Sequence, residues 1–277
     1  MPQSNIADAR AFFARLMAGA SRSADPRFEE VVASVPREAF MGPGPWKIVA
    51  GRRYVETPDA DPAYLYQNVL VALDSSRGIN NGEPYLHARW IGCAEPKPGE
   101  YVTHIGAGTG YYTAILSKLV EPGGHVDAFE IVEHLAEAAR YNLKSYDNVT
   151  VIAGDAASQP VAPSDLIYVN AGVIEPPLQW LEALKPGGRM IFPWSPSPSA
   201  GLTLLVTARE EGLDIKPLMP VWFIPCKGTG DVSECALVPD QNEASKARSL
   251  HKNADRPPDD SAVAIYDTVW FSTDPVP

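Results

Sequence analysis

The order of apolar and polar residues along this chain predicts strands that alternate with helices. An apolar, β-branched run at residues 102–105 leads into three alternate glycines, and Ala114, Ile115 and Leu119 then follow at helical spacing. Similar apolar runs predict four further strands, at residues 124–129, 149–153, 166–169 and 190–192. Strands and helices in alternation are typical of a doubly wound α/β fold.

The first 98 residues predict a helical and loop-rich segment that covers this core. Helical spacing of apolar positions indicates a helix over residues 6–18, and a second helix is expected with Asp25 as its N-cap and Pro26 as its first residue. Prolines and glycines recur over residues 41–62, where no regular element is expected. Further helices are predicted over residues 64–73 and from Pro84.

Two more predicted strands, at residues 202–207 and 221–225, complete the core, which we place at residues 99–227. Residues 228–277 then form a C-terminal extension. It is polar and contains prolines up to residue 260, and a last β-like run covers residues 262–271. The sequence therefore predicts a cover segment, a core and an extension with a final strand.

The strand-to-helix turn at Gly106, Gly108 and Gly110 has the pattern of a nucleotide-binding loop. Glycines let the backbone come close to a ligand, and the start of the next helix offers unpaired N–H groups. On its own this signal is weak, because tight turns between strands and helices also use glycine. Tyr111 stands where the dinucleotide fingerprint requires glycine, which disfavours NAD.

Two carboxylates at later strand ends support the nucleotide-binding prediction. Glu130 ends the second strand twenty residues after Gly110, where doubly wound folds place an acid that accepts hydrogen bonds from ribose hydroxyls. The segment Gly154-Asp155-Ala156 ends the third strand, at the sheet edge where ligands bind in such folds.

Composition narrows the classes of partner. The 277 residues carry a formal net charge of −11, which argues against nucleic acid, because nucleic acids are bound mainly through lysine and arginine. No apolar run is long enough for a membrane span and no signal-peptide core is seen, so we expect a cytoplasmic protein. The number and scatter of the cysteines fit neither a disulfide framework nor a zinc site, and no metal is expected. The three are Cys93, Cys226 and Cys235.

Taken together, the glycine loop, Glu130, Gly154-Asp155-Ala156 and Leu184-Lys185-Pro186-Gly187-Gly188-Arg189 resemble a class I S-adenosylmethionine-dependent methyltransferase. The resemblance implies a Rossmann-like, doubly wound sheet of seven strands with the last pair antiparallel. It also implies S-adenosyl-L-methionine as methyl donor and S-adenosyl-L-homocysteine as product. The cofactor-binding residues that it implies are His87, His104, Gly106, Ala107, Gly108, Thr109, Gly110, Tyr111, Glu130, Ile131, Gly154, Asp155, Ala156 and Asn170.

Four segments resemble a narrower family, the protein-L-isoaspartate O-methyltransferases. They are Val35-Pro36-Arg37-Glu38-Ala39-Phe40, Pro84-Tyr85-Leu86-His87-Ala88, Gly154-Asp155, and Lys216-Pro217-Leu218-Met219 with the following Val221-Trp222-Phe223-Ile224-Pro225. The resemblance covers roughly residues 25–227 and implies methylation of a carboxylate on a peptide.

One departure concerns the methyl acceptor. The family has Ser-x-Pro before the matched segment, with its serine hydroxyl at the acceptor carboxylate, whereas this chain has Gly82-Glu83-Pro84. Backbone N–H groups at Gly82, or the side chains of Asn80 and Asn81, could replace that hydroxyl. On this basis a Gly82→Ser change is expected to restore some isoaspartyl activity if the fold around the turn is preserved.

The acceptor could instead be a modified peptide or a small metabolite. An alcohol or amine acceptor needs a base, for which His87 is the first candidate and Glu83 the second, although packing is the commoner role of such a histidine. Asn170 either touches the acceptor or caps a helix. The catalytic candidates are therefore Gly82, Glu83, His87 and Asn170. A catalytically silent cofactor-binding module is the third hypothesis, and the oligomeric state stays open.

Overall fold

The computed structural model of the protein describes residues 6–277. These residues form two compact units. Unit 1 contains the described residues up to Glu100 together with Ala107–Ala153, and unit 2 contains Tyr101–Gly106 and Gly154–Pro277. These two units are defined by how the residues pack. The domain boundaries after residues 98 and 227 come from the sequence alone and stay a prediction.

The described residues contain seven α-helices and fourteen strands. The helices are α1 (Ile6–Ser21), α2 (Phe28–Ser34), α3 (Pro84–Ala94), α4 (Tyr111–Val120), α5 (Glu133–Asn142), α6 (Leu178–Glu182) and α7 (Gln241–Ala244). The strands are β1 (Lys47–Ala50), β2 (Arg53–Glu56), β3 (Ala72–Asp74), β4 (Ile79–Asn80), β5 (Tyr101–Ile105), β6 (His125–Glu130), β7 (Val149–Ala153), β8 (Ser164–Val169), β9 (Leu184–Ser197), β10 (Ala200–Arg209), β11 (Gly212–Pro220), β12 (Ser249–Lys252), β13 (Ala262–Ile265) and β14 (Val269–Ser272).

Unit 1 is built from helices, two short hairpins and one parallel strand pair. Helix α1 packs on α2 and α3 through an apolar face that buries Phe13, Ala14 and Met17. Strands β1 and β2 pair antiparallel, as do β3 and β4. Strands β6 and β7 run parallel, with α4 packed on β6 and α5 on both strands. The apolar positions predicted for α4 are buried, whereas the face predicted for α1 is only partly so, since Leu16 shares its helical spacing but is exposed.

Unit 2 is an eight-strand sheet in the order β13-β14-β12-β11-β10-β9-β8-β5. Strands β5, β8 and β9 are parallel, and every pairing from β9 to β13 is antiparallel. The prediction of a seven-stranded sheet with one antiparallel pair is therefore wrong, because unit 2 alone has eight strands and five antiparallel pairings. The extension adds β12, β14 and β13 to the sheet edge at β11, because its apolar residues pack on the core: Phe271 stacks on Trp194 with ring centroids 4.2 Å apart.

The α/β class and most core elements are confirmed. Strand β7 has the predicted bounds, α4 begins directly after the glycine loop at Tyr111, and Pro84 is the first residue of α3. Strands β6 and β8 are each shifted or extended by one or two residues relative to the prediction. Strand β9 is much longer than the predicted residues 190–192 and takes in the Pro-Gly-Gly segment.

Two predictions for the cover segment are wrong. Residues 64–73 do not form a helix but a 3-10 turn (Pro62–Leu65), a loop and β3. The reason is tertiary: the buried guanidinium of Arg37 takes the carbonyls of Leu65, Gln67 and Val69 as acceptors, so these groups are not used inside a helix. Residues 41–62 are not free of regular structure either, since they contain the β1–β2 hairpin.

Smaller corrections concern three other segments. Helix α2 begins at Phe28 with Arg27 as N-cap, because the Asp25 carboxylate, three residues before the helix, accepts the Arg27 N–H. Residues 221–225 are not a strand, because regular pairing of β11 ends at Pro220. The Gly172 N–H then donates to the Ile224 carbonyl, and the Gly172 carbonyl accepts the Cys226 N–H. The final β-like run is a hairpin that turns at residues 266–268.

None of the helices within residues 6–277 is both long enough and apolar enough to cross a membrane. The three cysteines are free thiols of intermediate exposure.

Candidate active site

The loop after β5 has a backbone that requires glycine. In unit 1, Gly108 has φ +57° and Gly110 has φ +97°, which are left-handed values. A Cβ on Gly110 would lie 2.6 Å from Leu143 Cδ1, and one on Gly108 would lie 3.1 Å from Leu73 Cδ1. The Ala107 N–H donates to the Phe129 carbonyl at 3.0 Å, which ties the loop to β6. Thr109, which is buried, is held through its carbonyl by the Asn142 amide at 2.9 Å.

Glu130 lies against this loop at the end of β6. Its Oε2 accepts the Gly108 N–H at 2.7 Å, and its Oε1 accepts the Val132 N–H at 2.9 Å. The residue is 6% exposed, and burial raises the pKa of its carboxyl above the usual glutamate range although these backbone bonds oppose the rise. Each oxygen keeps a further lone pair, so the carboxylate can still accept hydroxyl donors. The neighbouring Ile131 is 44% exposed.

The turn before α3 places His87 directly against Gly82. Gly82 has φ +75°, and a Cβ built on it would lie 2.1 Å from His87 Nε2. The imidazole is 1% exposed and stacks on Tyr112 with ring centroids 3.9 Å apart. It also meets Trp90 edge-on. His87 is thus a packed side chain that fills the space beside Gly82.

Glu83 and Tyr111 are held by other side chains of unit 1. The Glu83 carboxylate accepts the Asn68 amide N–H at 2.5 Å, while Asn68 Oδ1 accepts the Tyr85 N–H at 2.8 Å. Tyr111 is buried, meets Phe40 edge-on, and burial raises the pKa of its phenol. Glu83 therefore fixes the start of α3, and Tyr111 packs in the core of unit 1.

In unit 2, the buried His104 pairs with the part-buried Asn170 beside Gly106. Asn170 Nδ2 lies 2.9 Å from His104 Nε2, and burial lowers the pKa of His104 to about 3, so the imidazole is neutral and accepts the amide N–H. Asn170 Oδ1 is buried and has no hydrogen-bond partner within residues 6–277. Gly106 has φ +78°, and its Cα faces Asn170.

The Gly154–Ala156 turn of unit 2 is fixed from two directions. Gly154 has φ +142°, and Asp155 Oδ1 accepts the Ala157 N–H at 2.9 Å. The buried Ala156 offers its carbonyl to Gln179 Nε2 and Trp180 Nε1, at 2.8 Å and 2.9 Å. Gly228 is packed so closely that its Cβ would lie 3.1 Å from Asp155 Oδ2.

Within unit 1 the structure therefore brings together Gly82 with His87, and the loop Ala107–Gly110 with Glu130. Within unit 2 it brings together His104, Gly106 and Asn170, and separately Asp155 with Gly228. Sequence reasoning missed Arg37, Leu73, Asn68 and Gly228 as supports of these groups. Of these four residues, only Arg37 could have been found from the sequence, because it lies in one of the segments that resemble a known family.

The structure reverses the expected effect of Gly82→Ser. The positive φ disfavours any side chain, and a serine Cβ would overlap the His87 ring, so we expect a less stable protein with no gain of isoaspartyl activity. Gly78→Ser is the matched control, because Gly78 has φ +70° with nothing within 4 Å of its Cβ position. Urea unfolding should show Gly82→Ser less stable than Gly78→Ser by about 1–3 kcal/mol. Equal stability of the two variants would contradict the overlap.

A family model and curated relatives indicate the same family. A family model described as protein-L-isoaspartate(D-aspartate) O-methyltransferase (PCMT) matches residues 20–230. A protein-L-isoaspartate O-methyltransferase of Ignicoccus hospitalis is 35% identical over 200 residues, which are 71% of this chain and 86% of that protein. A second, from Syntrophobacter fumaroxidans, is 36% identical over 211 residues, 74% of this chain and 76% of that protein.

Solved structures show the same fold. A protein-L-isoaspartate O-methyltransferase superposes with a TM-score of 0.69 at 20% identity, over 95% of this chain and 86% of that chain. A Plasmodium falciparum protein described as belonging to the same class, in complex with S-adenosyl-L-homocysteine, gives a TM-score of 0.63 at 18% identity. That match covers 79% of this chain and 98% of the other. Residues 231–277 lie beyond the family match.

Proposed function

The chain belongs to the protein-L-isoaspartate(D-aspartate) O-methyltransferase family, and from that premise we propose that it methylates the free α-carboxylate of isoaspartyl residues in peptides. It is an S-adenosylmethionine-dependent methyltransferase that acts on a carboxyl oxygen. The observation that carries the proposal is the family match over residues 20–230, because it includes the glycine loop, Glu130 and the segment at the start of α3.

Buried acceptor atoms in both units suit the proposed cofactor. Glu130 keeps free lone pairs beside the glycine loop, where two ribose hydroxyls would be its donors. In unit 2, the unpaired Oδ1 of Asn170 would accept from an ammonium group. His104 is neutral, so it places no positive charge beside Asn170, which favours a cationic ligand there.

The remaining cofactor contacts are proposed from the family resemblance. Gly106, Gly108 and Gly110 shape the loop, and Asp155 with Ala156 contacts the adenine. The other proposed contacts are His87, Ala107, Thr109, Tyr111, Ile131 and Gly154. The fixed turn at Asp155 supports this assignment. Tyr111 and His87 support it less, because both already pack against other aromatic rings.

Methyl transfer to a carboxylate needs no general acid or base. When bound, S-adenosylmethionine supplies a methyl group on a sulfonium centre, and the new C–O bond forms as the C–S pair returns to sulfur. A carboxylate is already ionised at pH 7, so it attacks without proton removal. The protein therefore has to orient the carboxylate in line and exclude water. The buried, packed His87 and the Glu83 carboxylate bonded to Asn68 are consistent with a reaction that uses no general base.

No observation favours the two other hypotheses. A metabolite with a hydroxyl or amine would need a base, and the candidate His87 is 1% exposed. A silent cofactor-binding module is not favoured by relatives named as methyltransferases. Peptide as the acceptor and the cytoplasm as location belong to the proposal.

The proposal is tested by incubating the protein with S-adenosylmethionine and an isoaspartyl peptide. We expect one added methyl by mass spectrometry, released by mild alkali as methanol because it forms an ester. The control is the same peptide with the free carboxylate replaced by a carboxamide, which should stay unmodified. Methylation of both peptides, or an alkali-stable methyl, would contradict carboxyl transfer.

A further inference from the structure

Asn81 carries a buried hydrogen-bond donor next to the position where the family has its serine. Its N–H donates to the Val71 carbonyl at 3.0 Å, and its Oδ1 accepts the Val71 N–H at 2.8 Å. The first bond is made by the Asn81 backbone, and the second fixes which end of the side-chain amide is oxygen. Asn81 is 8% exposed, and its Nδ2 is buried with no hydrogen-bond partner in the described part of the chain.

Two other polar groups of this turn already have partners. The Gly82 N–H donates to Asn80 Oδ1 at 2.9 Å, so it is engaged within the turn. Glu83 is an acceptor and is bonded to Asn68. The space beside Gly82 is filled by the His87 ring, which leaves no room for a serine hydroxyl. Asn81 Nδ2 is therefore a buried donor of this turn that still lacks an acceptor.

We propose that Asn81 Nδ2 donates to the carboxylate of the methyl acceptor and so takes over the role of the missing serine hydroxyl. This inference rests on the proposed function. A buried N–H without an acceptor is unfavourable, and a hydrogen bond to an ionised acceptor is among the stronger kinds. A carboxylate offers only acceptor atoms to Nδ2, whereas a protonated amine offers only donors. Asn81 thus favours a carboxylate over a protonated amine.

The burial of Nδ2 adds a consequence for water. Because this atom has no exposed surface in the described conformation, the carboxylate reaches it only when neighbouring side chains move aside. Bulk water does not pair with Nδ2 before the acceptor arrives. Asn81 Nδ2 therefore stays unpaired until the carboxylate of the methyl acceptor binds, which suits a reaction that must exclude water.

Asn81→Asp tests the proposal, because it keeps an oxygen for the Val71 N–H and replaces the donor with a second oxygen. We expect kcat/KM for the isoaspartyl peptide to fall by about tenfold or more, mainly through KM, since the lost bond is to the charged acceptor. S-adenosylhomocysteine affinity should stay at the wild-type value. Asn242→Asp is the matched control: it makes the same change at an exposed residue of α7, which has no part in this turn. It should stay close to wild type.

The outcomes separate this inference from the proposed function. Wild-type kcat/KM in Asn81→Asp overturns the role of Asn81 and leaves the function intact. A wild-type protein that binds S-adenosylhomocysteine but does not methylate the peptide overturns the proposed function and this inference with it. If Asn81→Asp does not fold, the side-chain amide NMR signal of Asn81 in the wild type decides. A shift on adding peptide with S-adenosylhomocysteine supports the proposal, and an unmoved signal overturns it.

Discussion

Replacing Arg37 with alanine is expected to lower the free energy of unfolding by about 3–5 kcal/mol. The Arg37 side chain is fully buried, with Nη1 donating to the Leu65 and Gln67 carbonyls and Nη2 to the Val69 carbonyl. Its guanidinium also lies 5.7 Å from the centre of the Phe13 ring. Alanine would leave a cavity and three carbonyls without their donor, and the loop that leads to Asn68 would lose its anchor.

The measurement is urea unfolding of Arg37→Ala beside Arg15→Ala and Arg37→Lys. Arg15 is the control for loss of one arginine, since its side chain is 72% exposed and its contact with Glu29 contributes little. Arg37→Lys keeps a charge but cannot present the flat fork of donors, so it should also be destabilised. An Arg37→Ala protein as stable as Arg15→Ala would contradict the anchoring role.

Replacing Glu130 with alanine is expected to weaken S-adenosylhomocysteine binding by about a hundredfold. The reason is the loss of two hydrogen bonds from ribose hydroxyls to a buried carboxylate, each contributing about 1.5 kcal/mol, with about 1.36 kcal/mol per tenfold. The Gly108 N–H also loses its acceptor, which loosens the loop. Calorimetric titration measures the effect. Glu133→Ala is the control, because the Glu133 side chain is 71% exposed. Equal affinities of the two variants would remove Glu130 from the site.

The same residue predicts a pH dependence of cofactor binding. Burial raises the pKa of Glu130, so on acidification this carboxyl takes up its proton at a higher pH than an exposed glutamate does. The protonated form accepts fewer hydrogen bonds. Wild-type affinity should therefore fall with decreasing pH, beginning above the usual glutamate range, and Glu130→Ala should lack this fall.

Local pattern was enough to predict the strand and the helix that precede and follow the glycine loop in the chain. The run at residues 102–105, the glycines after it and the apolar spacing of α4 each depend on neighbours in sequence, and all three are found. The acid at Glu130 was predicted from spacing, and the structure places its carboxylate on the Gly108 N–H. Its contact with a cofactor stays a prediction.

The failures come from interactions between residues far apart in sequence. Nothing local shows that Arg37 draws the carbonyls of residues 65–69 out of a helical pattern. Nor does the sequence show that Gly82 has a left-handed backbone with His87 against it, which changes the meaning of the missing serine. The extension was also incompletely predicted, because β12 to β14 are stabilised by aromatic packing on β9 rather than by a strong local pattern.

The central claim is that this chain methylates isoaspartyl carboxylates. It is tested most directly by kcat/KM for an isoaspartyl peptide and for its aspartyl twin, at saturating S-adenosylmethionine. The account predicts methylation of the isoaspartyl peptide with a clear preference over the twin. Equal methylation of both peptides, or preference for the twin, would contradict it, as would no methylation of either by a protein that binds S-adenosylhomocysteine.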